Sequence, residues 1–141
     1  MLQHHMQDTY QYLFDQAHAI LRDGKSFRPF GAAIRKTGEQ IETIAEPPAG
    51  NDGAQDHIRG LILGFQQDDR DNGLMAAGLV FDGQMTDGFE EHKRALVFHL
   101  EAANGRAVEV VVAYDLRIGN IVDFYEPDVS EVTPEIFTPG P

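Results

Sequence analysis

The sequence predicts an α+β domain in which an antiparallel or mixed sheet of five to six strands carries two helices. Two segments repeat apolar residues at helical spacing, most of the remainder alternates with a period of two, and turn signals separate these segments. The 141 residues, 42% of them hydrophobic, suffice for one core. The expected order is α-β-β-α-β-β-β, with room for one more strand. We expect a single domain over 1–126.

The first predicted helix has its apolar residues on one face, and Gly24 is expected to end it. These residues are Met6, Tyr10, Leu13, Phe14, Ala17, Ile20 and Leu21. The stretch "FRPFGAAIRKTGEQIETIAE" that follows predicts a hairpin with its turn at Thr37-Gly38. After the loop "PPAGNDGAQD", Asp52 or Asp56 can cap a second helix, which we expect to end at the polar run "QQDDRDNG".

After Gly73 the pattern is that of strands. "LMAAGLVFDGQM" is the first, "TDGFEEHK" is a polar connection, and "RALVFHLEA" and "RAVEVVVAYDL" flank the turn Ala103-Asn104-Gly105. A two-residue Asn-Gly turn would mix polar and apolar residues on one face, whereas a three-residue loop with Gly105 in the left-handed conformation would not. The second register pairs Leu100 with Val108, Phe98 with Val110 and Leu96 with Val112, and it leaves His99 opposite Glu109 on the outer face.

The last segments are the least regular. "NIVDFYEP" is a candidate edge strand. Beyond it the chain carries Pro127, Pro134, Pro139 and Pro141, so we expect residues 127–141 to form an acidic tail, extended or disordered.

Charge is the most unusual global property. The formal charge is -12, and it is uneven: residues 48–94 hold nine acidic and four basic residues, and residues 95–141 hold eight and two. Such a surface repels nucleic-acid backbones and membrane headgroups and attracts basic partners. The chain has no cysteine, no run as apolar as a membrane span and no export signal at its start, which together predict a cytoplasmic protein.

Motifs for metal, nucleotide or nucleophilic chemistry are missing. Zinc-dependent deaminases place a Glu two residues after a helical His and use cysteine ligands, but here His57 is followed by Arg59. The six histidines show no ligand spacing, and no glycine-rich loop opens a helix. We therefore expect no cofactor and no metal. The best local candidates for acid-base chemistry are His99, Glu101 and Glu109, with Tyr114 as an accessory, although an ordinary cross-strand polar pair explains them equally well.

Two phrases also resemble a known group. "FRPFGA" (Phe-x-Pro-Phe-Gly-Ala) and "LEAANGRA" (Leu-Glu-x-x-x-Gly-x-Ala) are similar to the hairpin and the strand pair of a group of small uncharacterised bacterial proteins, over about a third of the chain. The resemblance implies a compact α+β cytoplasmic protein and carries no catalytic residue.

Three functions remain open from the sequence. The leading hypothesis is a non-enzymatic acidic binding protein, such as an immunity-type inhibitor of a basic toxin or nucleic-acid enzyme, that contacts neither nucleic acid nor membrane directly. Candidate partner-binding residues are Asp68, Asp69, Asp71, Asp87, Glu90 and Glu91. One alternative is a roadblock-like scaffold that forms a homodimer through an exposed edge strand. The other is a small hydrolase or ligand-binding enzyme that uses His99, Glu101 and Glu109.

Overall fold

A computed structural model describes residues 4–25, 27–43, 54–84 and 94–137. Two helices and seven strands follow one another in the order α-β-β-α-β-β-β-β-β. They are α1 (His4–Arg22), β1 (Phe30–Arg35), β2 (Gln40–Thr43), α2 (Ala54–Asn72), β3 (Leu74–Gln84), β4 (Arg94–Ala102), β5 (Ala107–Arg117), β6 (Ile121–Phe124) and β7 (Asp128–Glu131). None of the described helices is long and apolar enough to cross a membrane.

All strands join one antiparallel sheet with the order β2-β1-β3-β4-β5-β6. Strand β7 also pairs with β5, next to residues 108–111, whereas β6 pairs with residues 114–117. The strands β6 and β7 therefore lie end to end along the same edge of β5. The α+β class and the antiparallel sheet with two packed helices are confirmed.

Helix α1 packs on one face of the sheet. Its wholly buried residues recur every three or four positions, at Met6, Thr9, Leu13, Ala17 and Leu21, so that they form one stripe along the helix. The sheet side of this cluster is made by Phe30 and Ala32 of β1 and by even-numbered positions of β3, β4 and β5. The latter are Val80, Leu96, Phe98, Leu100, Ala102, Val108, Val110, Val112 and Tyr114. This cluster is the larger of the two hydrophobic clusters among the described residues.

Helix α2 packs on the opposite face. Leu61 and Phe65 meet the odd-numbered strand residues Ala77 and Leu79, and Ala33 of β1 completes the contact. The helix is longer than expected, because residues 66–72 of the polar run form its last two turns instead of ending it. Gly73, at φ 79°, then turns the chain into β3.

The register predicted for the hairpin β4–β5 is confirmed. Leu100 pairs with Val108, Phe98 with Val110, and His99 with Glu109. The amide of Ala102 donates to the carbonyl of Arg106, and Gly105 has a φ of 91°, so the loop holds three residues with its glycine in the left-handed region.

The segment assigned to a tail contributes to the domain over residues 128–137. It supplies strand β7, and then Ile136 and Phe137 join the cluster beneath α2, with 3% and 9% of their surfaces exposed. Pro127 is compatible with this path because it lies between β6 and β7, where no ladder hydrogen bond is required of it.

Candidate functional site

The sequence-predicted acid-base residues lie on two different faces of the sheet. His99 and Glu101 share the face that α2 covers, and Glu109 is directly opposite His99 on β5. Tyr114 has the other parity on β5 and belongs to the cluster beneath α1. The sheet therefore separates Tyr114 from the other three candidates, because successive side chains of a strand point to opposite faces.

The sequence predicts His99 on an exposed outer face of the sheet, but its side chain is largely buried. Only 13% of its side chain is exposed, and Glu101 is wholly buried. The C-terminal segment, which we define as residues 132–137, reaches this end of the sheet, where its backbone amides bind the carboxylate of Glu101 and His99 binds the same carboxylate. Alternation along β4 predicts which face a residue occupies, but it does not show whether a distant segment covers that face.

The carboxylate of Glu101 binds the backbone of the C-terminal segment. Its oxygens accept hydrogen bonds from the amides of Glu135 at 2.8 Å, Ile136 at 2.9 and 3.0 Å, and Phe137 at 3.0 Å. His99 Nε2 lies 2.5 Å from Oε2 and donates a further bond, which requires the tautomer with its proton on Nε2. From α2, Gln66 Nε2 donates to the carbonyl of Glu135 at 2.6 Å. The hydrogen bonds to the Glu101 carboxylate are charge-assisted, and such bonds are about twice as strong as neutral ones.

These contacts also explain the pKa of Glu101. Burial acts to raise the pKa of this carboxyl, but the hydrogen bond from His99 and those from the amides of Phe137 and Glu135 outweigh it and lower the pKa below its ordinary value of 4.5. Glu101 is therefore ionised in the folded protein at neutral pH. Both of its oxygens are engaged, which makes it an anchor for the C-terminal segment.

The stability of the protein is expected to depend on pH through Glu101. A carboxyl whose pKa is lower in the folded than in the unfolded state contributes stability that is present above the unfolded pKa, here 4.5, and is lost as the pH falls through the folded value. The gap in unfolding free energy between the wild type and Glu101→Gln should therefore shrink as the pH falls below 4.5. Urea denaturation from neutral pH to about pH 3 measures it. A constant gap would contradict the assignment.

Tyr114 belongs to a second polar group, on the α1 side of the sheet. Its hydroxyl donates to Asp82 Oδ1 at 2.8 Å, and Arg94 Nη2 donates to Asp82 Oδ2 at 2.6 Å. The Arg94 guanidinium also lies 5.4 Å from the centre of the Tyr114 ring. Burial, and then the hydrogen bond to Asp82, raise the pKa of the Tyr114 phenol. The phenol therefore stays protonated, and the group ties together the ends of three strands.

Three of the six acidic residues that the sequence suggests for partner binding lie within the described ranges. Asp68 lies 3.4 Å from Arg35, Asp69 Oδ1 accepts the amide of Leu74, and Asp71 accepts from Gln67. Asp68 and Asp69 thus connect the end of α2 to the sheet. Asp87, Glu90 and Glu91 lie outside the described residues.

The strongest acidic feature of the described chain is the strand edge that β6 and β7 form. We define the acidic edge as residues 121–131, "IVDFYEPDVSE", which hold four carboxylates and no basic residue. These carboxylates belong to Asp123, Glu126, Asp128 and Glu131, and all four residues are exposed. Arg117 pairs with Asp123 at 3.0 Å and Arg106 with Glu131 at 3.1 Å. Within the described ranges no basic side chain pairs with Glu126 or Asp128.

A bulge divides the acidic edge. Tyr114 pairs with Phe124 and Val111 pairs with Asp128, so the edge advances four residues while β5 advances three. The extra residue falls at Glu126-Pro127, where it makes a β-bulge. A bulge, a proline and charged side chains are the devices by which natural edge strands avoid pairing with copies of themselves.

Exposed apolar side chains accompany these charges. Ile121 is 56%, Tyr125 42% and Val129 50% exposed, and Ile118 in the preceding turn is almost fully exposed. Single exposed apolar residues are ordinary on a protein surface. Here they alternate with carboxylates along one strand edge, which gives the edge both an electrostatic and an apolar component.

Other possible sites are weaker. A cavity of about 530 Å³ lies between α2 and the C-terminal segment, and it is lined by Asp56, Ile58, Arg59, Ile62, Leu63, Gln66, Pro134 and Glu135. It contains neither His99 nor Glu101. Among the described residues no group of three or more His, Cys, Asp and Glu side chains could hold a metal ion.

Comparison with known proteins finds no matching family model, no matching curated protein and no matching solved structure. The resemblance to the small bacterial group with the Phe-x-Pro-Phe-Gly-Ala hairpin therefore stays a prediction.

Proposed function

We propose that this protein is a non-enzymatic binding protein that takes a basic segment of another protein on its acidic edge. An immunity-type inhibitor of a basic toxin or nucleic-acid enzyme, acting in the cytoplasm, is the class that fits best. The observation that carries the proposal is the acidic edge itself: four exposed carboxylates and no basic residue over eleven positions of an exposed strand edge. A surface of this kind attracts a cationic partner and raises its association rate.

The same feature weighs against the roadblock-like homodimer. Pairing of two acidic edges would bring eight carboxylates together, and the bulge at Glu126-Pro127 limits each straight stretch to four residues.

The hydrolase alternative depends on Glu101, whose oxygens are already occupied by four donor groups, three amides and one imidazole. No further observation favours either alternative.

Neutralising the acidic edge is expected to weaken binding of the basic partner. The edge variant carries Asp123→Asn, Glu126→Gln, Asp128→Asn and Glu131→Gln. Exposed charge pairs contribute roughly 0.2–1 kcal/mol each, so four of them predict a loss in affinity between about fourfold and about several hundredfold. Pull-downs at low and high salt, with the captured protein identified, purified again and titrated by calorimetry, measure this loss. Binding by the wild type should weaken as salt screens the charges.

A matched control separates a local effect of the edge from one of total charge. The control variant carries Asp8→Asn, Asp15→Asn, Asp23→Asn and Glu39→Gln, which changes the net charge by the same amount at exposed positions outside the edge. It should bind like the wild type. Equal binding by all three proteins, or capture that does not depend on salt, would rule out the proposed function.

A further inference from the structure

We propose that the basic partner binds as an added β-strand, hydrogen-bonded to the side of β7 that pairs with no other strand of the described residues. This inference rests on the proposed function and specifies its geometry. The occupant to which it commits is an extended, proline-free segment of a basic protein in which Lys or Arg alternates with apolar residues. Strand addition is a common mode of peptide recognition, in which the backbone supplies affinity and the side chains supply specificity.

The backbone of β7 has the orientation that strand addition needs. The amide of Val132 donates to the carbonyl of Ala107, so in steps of two residues Ser130 and Asp128 also direct their backbone groups toward β5. The intervening residues Val129 and Glu131 direct their N–H and C=O groups away from β5. Two residues therefore present four backbone hydrogen-bonding groups along the open side of β7.

The side chains of β7 determine which residue types fit on each face of the added strand. Asp128 and Ser130 lie opposite Val111 and Glu109, on the α2 face, whereas Val129 and Glu131 lie opposite Val110 and Val108, on the α1 face. A partner with Lys or Arg on the α2 face would meet the carboxylate of Asp128. Its apolar residues would then lie beside Val129, which is half exposed, and beside Glu131, whose carboxylate is paired with Arg106. Neighbouring side chains on one face of a sheet interact in this manner.

Charge complementarity excludes the main competing occupant. A second copy of this chain would bring the residues Asp123, Glu126, Asp128 and Glu131 against the same residues. Like charges directly opposite one another destabilise a strand pair. The carboxylates of the acidic edge therefore repel a second copy of the edge, and they attract a strand that carries basic side chains.

The test uses the uniformly ¹⁵N-labelled full chain and three synthetic peptides. The first alternates Lys and Val over six residues, with both ends blocked. The second has the same sequence with N-methyl groups on alternate residues, on the edge that would face β7, and the third has Glu in place of Lys. Amide shifts in heteronuclear spectra at low salt report binding residue by residue, even at dissociation constants on the order of 1 mM.

The Lys-Val peptide should shift the amides of Val129 and Glu131 downfield, since these gain hydrogen bonds, while those of Asp128 and Ser130, already bonded to β5, move less. The other two peptides should leave all four amides unmoved. If the N-methylated peptide binds equally well, strand addition is wrong, yet charge-based binding survives. If the Lys-Val peptide at millimolar concentration shifts no amide of the acidic edge, the inference is overturned, and the pull-down decides the proposed function separately.

A substitution in the full chain provides a second readout. Val129→Pro removes one outward N–H without changing any charge, whereas Val129→Ala keeps it. The proline variant should bind the Lys-Val peptide at least tenfold more weakly than the alanine variant, with an unchanged melting temperature. Equal binding by the two variants would contradict strand addition. If the proline variant does not fold, the N-methylated peptide still decides the question.

Discussion

Replacing Glu101 with alanine is expected to lower the free energy of unfolding by about 3 kcal/mol. The substitution leaves the amides of Glu135, Ile136 and Phe137 without an acceptor in a buried position, and a buried donor left unpaired costs roughly 1–3 kcal/mol. The loss stays below the sum of three such penalties, because the C-terminal segment can separate from the sheet and hydrate its amides. It then gives up the burial of Ile136 and Phe137.

Urea denaturation at neutral pH measures this loss, and hydrogen exchange locates it. The amides of Glu135, Ile136 and Phe137 should lose protection in the variant, while those of the β4–β5 ladder keep theirs. The control is Glu135→Gln, which removes an exposed carboxylate from the same segment and should change stability by less than about 0.5 kcal/mol. Full protection of the three amides in Glu101→Ala would refute the anchoring role.

Replacing Gly31 with alanine is expected to destabilise the protein by about 2 kcal/mol. A Cβ atom at this position of β1 would lie 2.7 Å from the carbonyl oxygen of Gly78 and 2.7 Å from the ring of Phe65. The carbonyl oxygen of Gly78 belongs to the neighbouring strand β3, and the ring of Phe65 is packed between α2 and the sheet. Neither group can therefore move freely. Overpacking of a closed core costs typically about 1–3 kcal/mol.

A glycine-to-alanine substitution at Gly64 of α2 should change the free energy of unfolding in the opposite direction. A Cβ atom at Gly64 meets no atom within 4 Å, and Gly64 is an exposed residue in the interior of a helix. Alanine there should raise the free energy of unfolding by up to about 1 kcal/mol, because glycine is the weaker helix former. Urea denaturation of the two variants beside the wild type checks both signs. Two changes of the same sign would contradict the close packing around Gly31.

The parts of the fold that the sequence predicts are those with a one-sided apolar pattern. The register of β4 and β5 is predictable because only one alignment places Leu96, Phe98 and Leu100 against valines and leaves His99 opposite Glu109. Helix α1 is predictable for the same reason, since its buried residues form one stripe. In each case one face is buried, and the apolar residues that occupy this face are visible in the sequence.

Strand β7 and the anchor at Glu101 carry no such signal. All four residues of "DVSE" are exposed, so their extended conformation comes from the open edge of β5 and not from an apolar alternation of their own. Besides His99, the donors to Glu101 are backbone amides 34 to 36 positions further along the chain, and every residue except proline has such an amide. A carboxylate next to a predicted strand end therefore gives no indication that it is buried.

The anchoring of residues 135–137 has a consequence for the order of events during synthesis. Until those three residues leave the ribosome, β4 holds a carboxylate without its amide donors, and the surface beneath α2 lacks Ile136 and Phe137. The nascent chain therefore completes this layer only after α1 and the hairpin β4–β5 have left the ribosome. Chains released before this point would expose the uncovered layer to chaperones and proteases.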